Sequence, residues 1–63
     1  MNGEKLREYR ETLGLSQAKL AELSSIPQYL LSSFELGKQE LTKELINQIK
    51  ETLSNEKKTR DSN

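Results

Sequence analysis

Between Pro27 and Leu36 the chain carries one amide, Gln28, one phenol, Tyr29, and two hydroxyls, Ser32 and Ser33, with no lysine or arginine among them. Such groups do hydrogen-bond chemistry: an amide offers a donor and an acceptor side by side, and a hydroxyl does both from one atom. None of them is a working nucleophile without a neighbouring base. The chain contains no histidine and no cysteine. That removes the commonest general base at neutral pH and the soft ligands of a zinc site. There is no glycine-rich phosphate loop and no nucleophile–base pair. Catalysis, a metal, a cofactor and a small-molecule substrate are therefore not expected, and the uncharged groups are candidates for recognition. Glu40 with Lys43, and Lys50 with Glu51, read as solvated helix faces.

Charge sets a constraint on the partner. Ten basic residues balance ten acidic ones. A nucleic-acid surface needs local positive charge, so a neutral total requires that any basic patch be small. No apolar run exceeds three residues, Tyr29-Leu30-Leu31. That is too short for a membrane span or a signal peptide, and the cytoplasm is the expected compartment.

These groups must be held by a small scaffold. A chain of 63 residues is one domain. At that size only about 60% of the unfolded surface is buried, and the core supplies roughly 3–5 kcal/mol. The apolar residues are mostly leucine, there is no valine, and Glu, Lys and Gln are frequent; this composition favours an all-α domain. Leu6, Tyr9, Arg10 and Leu13 recur at helical spacing and Gly14 can close that helix, which predicts helix 1 over residues 3–13. Ser16 is a natural N-cap for helix 2, over 17–24, which Ser24-Ser25 break. Pro27 suits a helix start, predicting helix 3 over 28–36 with Gly37 behind it. Thr42 can cap helix 4, over 43–53, where Leu45, Ile46, Ile49 and Leu53 form an inward stripe. Residues 1–53 are expected to form the folded domain. Residues 54–63 contain no apolar side chain and are expected to be a disordered polar tail or linker.

The stretch Leu15-Ser16-Gln17, then Leu20-Ala21, Ile26, Leu31-Ser32, Phe34-Glu35 and Gly37-Lys38 resembles the helix-turn-helix of Cro/C1-type repressors, the XRE family. The likeness covers residues 4–53 and implies a compact four-helix bundle of the lambda-repressor-like type. Ala21 is small enough for helix 3 to cross close over helix 2. Leu20, Ile26, Leu31 and Phe34 are expected to meet beneath that crossing with Leu6, Leu13 and Leu15. Many relatives add an apolar fifth helix, which the polar residues after Leu53 cannot supply. The family usually has glycine at Ser25, a capping Ser or Thr at Pro27, and a polar or basic residue at Leu36.

What the resemblance implies about function is specific. The family inserts the start of helix 3 into the DNA major groove. Gln28, Tyr29, Ser32 and Ser33 would then face bases, glutamine being able to make two hydrogen bonds to adenine. Gln17 at the start of helix 2 and Lys38 would hold backbone phosphates, with Lys19 and Lys43 as further candidates. Arg10 and Glu35 occupy the positions of the family's structural ion pair. The implied protein is a DNA-binding transcriptional regulator, most simply a repressor, acting as a homodimer on a two-fold site of double-stranded DNA. Two alternatives fit the same residues. One is the N-terminal module of a larger protein, such as a DNA methyltransferase. The other is a protein-interaction module whose docking surface is Tyr29, Leu30 and Leu36.

Overall fold

A computed structural model describes the backbone of residues 1–61 and the side chains of residues 1–59. It contains four helices: α1, Gly3–Thr12; α2, Gln17–Ser24; α3, Gln28–Glu35; and α4, Lys43–Asp61. No strand is present among the described residues, and the chain is an all-α bundle. No helix among the described residues is long and apolar enough to cross a membrane.

The helix starts follow from local capping. The Asn2 side chain accepts the Lys5 N–H at 2.8 Å, Ser16 accepts the Lys19 N–H at 3.0 Å, and Thr42 accepts the Leu45 N–H at 3.2 Å. Each satisfies a donor that the first turn leaves without a helical partner. Pro27 begins α3 without a side-chain cap.

The first three helices all end in the same way. Gly14, Ser25 and Gly37 stand just past them in left-handed conformation, with φ of 71°, 59° and 75°. The next N–H then reaches back to the last turn: Leu15 to Arg10 O at 3.0 Å, Ile26 to Ala21 O at 3.1 Å and Lys38 to Ser33 O at 2.9 Å. This is the Schellman closure, which sends the chain sharply into the next element. Two closures use glycine, which adopts this conformation at no steric cost. Ser25 does so at a cost on the order of 1 kcal/mol, and it carries Ile26 into the core, where only 2% of that residue remains exposed.

The core is built from Leu6, Leu13, Leu20, Ala21, Ile26, Leu31, Phe34, Ile49 and Leu53, with Leu15, Leu30, Leu41, Leu45 and Ile46 packed partly against it. α2 packs on α3, and Ala21 of α2 is only 9% exposed. Gln48 on α4 donates to the Ser24 carbonyl at 2.9 Å, which satisfies part of the exposed end of α2. Ser24 itself is buried, and its hydroxyl donates to the Leu20 carbonyl at 2.7 Å.

α4 departs from the sequence expectation. It continues for 19 residues to Asp61 instead of stopping near Leu53, so residues 54–61 are helical rather than a structureless tail. Once a helix is nucleated, each further residue adds one hydrogen bond for one fixed residue, and Glu, Lys and Arg are good helix formers. No proline or glycine follows Leu53 to stop it. Residues 62–63 of the expected tail lie outside the described residues.

Gly3 is set against the end of α3. A Cβ at this position would meet the Phe34 carbonyl oxygen and come within 2.8 Å of the Glu35 Cα. Alanine in a helix ordinarily gains about 1 kcal/mol over glycine. Gly3→Ala is expected to reverse that sign and cost about 1–3 kcal/mol, because rigid backbone has to move. The urea midpoint measures it, and a stabilised variant would refute the close approach.

Candidate nucleic-acid interface

α3 is two-sided. Leu31 and Phe34 point inward and are buried, while Gln28 and Tyr29 are exposed and Ser32 and Ser33 are half-buried. Residues three and four apart share a helix face. Gln28 and Ser32 therefore lie one turn apart, as do Tyr29 and Ser33, on the side away from the core. Tyr29 is 69% exposed, and Leu36, just past the helix end, is 62% exposed. The outer side thus offers an amide, three hydroxyls and apolar surface, with no charge.

Below it lies a buried ion pair. The Arg10 guanidinium binds Glu35 in bidentate fashion, Nε to Oε2 and Nη2 to Oε1, both at 2.9 Å. Its third group, Nη1, donates to the Leu15 carbonyl at 2.7 Å. The side chains of Arg10 and Glu35 are only 10% and 3% exposed. Arg10 comes from the last turn of α1 and Glu35 ends α3, so the pair ties the first helix to the third. Burial disfavours the Glu35 charge. Hydrogen bonds from Arg10 and Gln17, with the positive charges of Arg10 and Arg7, outweigh this and hold the carboxyl below its ordinary range. The same hydrogen-bonded pairing holds Arg10 above its ordinary value against the opposing effect of burial.

The four candidate phosphate-binding residues occupy different surroundings. Gln17 is half-buried, and its side-chain amide donates to Glu35 Oε1 at 3.1 Å. One of its two N–H groups is therefore engaged within the protein. Lys19 on α2, Lys38 past Gly37 and Lys43 at the start of α4 are all exposed. They stand on three separate parts of the chain.

Sequence reasoning passed over a further pair. Arg7 Nε lies 3.7 Å from Glu11 Oε2 on the solvent side of α1. Both residues border a polar cleft shared with Gln17, Ser32 and Leu36. Their spacing of four is a visible ion-pair signal, but only the packing of α1 on α3 shows which way the pair faces.

A family model described as a helix-turn-helix domain matches residues 3–53. No curated protein and no solved structure matches the chain.

Proposed function

The chain belongs to the helix-turn-helix domain family, and from that membership we propose that it is a sequence-specific DNA-binding regulator of transcription of the Cro/C1-like class, most simply a cytoplasmic repressor. The observation that carries this reading is the two-sided α3: its inner face is locked into the core, and its outer side offers hydrogen-bonding groups to a groove. Gln28 contacts an adenine edge through its amide, and Tyr29 meets a thymine methyl or a phosphate. Ser32 and Ser33 add less selective bonds. Base reading depends on hydrogen-bond geometry, so the absence of charge on this side is no obstacle to specificity.

Charge instead governs the grip. Gln17, Lys19, Lys38 and Lys43 hold phosphates at scattered points, which gives each protomer a modest affinity and a shallow salt dependence. Binding as a homodimer on a two-fold site, with half-sites about 34 Å apart, multiplies that grip.

Selection of bound sequences from a random duplex pool, repeated with Gln28→Ala, tests the reading. The expected outcome is an enriched motif that loses about 1–3 kcal/mol of preference at one base position in the variant, while affinity for unselected DNA stays near the wild-type value. A pool without enrichment refutes sequence-specific binding.

The exposure of Tyr29 and Leu36 favours one second reading, a protein-interaction module that docks through that apolar surface. Salt separates the two, since DNA affinity falls with ionic strength and apolar docking does not.

A further inference from the structure

Beside the reading side of α3 lies a polar cleft that shares Ser32 with it. It has a volume of about 180 Å³ and opens between α1, the start of α2 and the end of α3. Arg7 and Glu11 border it on α1, Gln17 borders it on α2, and Ser32 and Leu36 border it on the α3 side, with the Arg10–Glu35 pair also lining it. Its charges are not equivalent. Arg10 is committed to Glu35 by two hydrogen bonds and to the Leu15 carbonyl by a third. Arg7 meets the edge of Glu11 at 3.7 Å, and these two side chains are 61% and 57% exposed. A solvated pair of this kind is weak and exchanges readily for another anion.

The geometry points to a backbone-phosphate site in this cleft, in which Arg7 leaves Glu11 for a DNA phosphate as α3 docks, and Gln17 donates to the same anion. The planar guanidinium fork matches a phosphate better than any other side chain does. Gln17 has a second amide N–H beyond the one given to Glu35. Arg7 borders the same cleft as Gln17, and its positive charge also helps to hold the Glu35 carboxyl below its ordinary range. The inference rests on the DNA-binding reading. It also supplies what α3 lacks: a cation adjoining the reading helix, delivered from α1.

The test uses the full chain and a labelled duplex enriched from the random pool, titrated by fluorescence anisotropy over a salt series. Arg7→Gln is expected to make the slope of log affinity against log salt shallower by about 0.9 for each phosphate it no longer neutralises, with the base preference unchanged. Arg7→Lys, which keeps the charge, retains the wild-type slope. Glu11→Gln is expected to tighten binding severalfold when Arg7 is present, and by less in the Arg7→Gln background. If the wild-type chain binds the duplex and Arg7→Gln leaves its slope unchanged, the phosphate site is wrong while the DNA reading stands. An equal gain from Glu11→Gln in both backgrounds overturns the exchange of partners. If the wild-type chain binds no duplex at any salt concentration, both readings fall.

Discussion

Glu35→Ala is expected to destabilise the domain by about 3–5 kcal/mol, because it leaves the Arg10 guanidinium buried with only the Leu15 carbonyl as partner. A core of this size supplies roughly 3–5 kcal/mol in all, so the variant should be largely unfolded at 25 °C. Arg10→Met is expected to cost a similar amount for the complementary reason. The double variant Arg10→Met/Glu35→Leu removes both charges and should recover much of either loss, since an apolar replacement of a buried pair is often neutral. Urea titration of the four proteins gives the coupling energy, and strictly additive losses would show that the pair does not act as a unit. The same carboxylate sets the acid behaviour. Its folded pKa is held below the ordinary value, so its stabilisation is fully present above the unfolded value of about 4.3. It is lost as pH falls through the lower, folded value. Wild-type stability should therefore decline below about pH 4.3, and the Arg10→Met/Glu35→Leu variant should lose less over that interval.

Leu31→Ala is expected to cost about 2.7–5 kcal/mol. Leu31 is fully buried on the inner face of α3, and Leu6, Leu20 and Ile49 of the same core are equally inaccessible. These branched side chains have little freedom to fill the space left behind. Three residues earlier, Gln28→Ala should change stability by no more than about 0.5 kcal/mol, because the side chain is solvated. Thermal or urea unfolding of the two variants separates the two sides of one short helix. If Leu31→Ala were as mild as Gln28→Ala, α3 would not be anchored by its inner face, and its outer side could not present a fixed pattern to a groove.

The reach of the sequence differs from one element to another, for physical reasons. Starts and stops are legible wherever one local residue decides them: Ser16 and Thr42 as caps, and Gly14 and Gly37 as left-handed closures. The inward positions of Leu20, Leu31 and Phe34 follow from helical spacing in the same way. The end of α4 is not legible from the absence of apolar residues, because helix continuation depends on backbone propensity and not on burial. The hydrogen bond from the Gln17 side-chain amide to Glu35 joins residues 18 apart in sequence, and no local pattern announces a contact of that kind. The orientation of Arg7 and Glu11 toward α3 is hidden for the same reason. The base-contacting roles of Gln28, Tyr29, Ser32 and Ser33 belong to a complex, and helical periodicity settles only which side of α3 they occupy.

The length of α4 has a consequence for how the molecule opens. Residues 54–59 satisfy backbone groups within the helix but contribute no apolar side chain to the interior, so no apolar burial of their own resists their unwinding. Amide protons there should exchange with solvent through local fraying at almost no free-energy cost, whereas those around Ile49 and Leu53 wait for the whole bundle to come apart. One continuous rod thus spans the full range of protection, from near zero at its far end to the global value at its root.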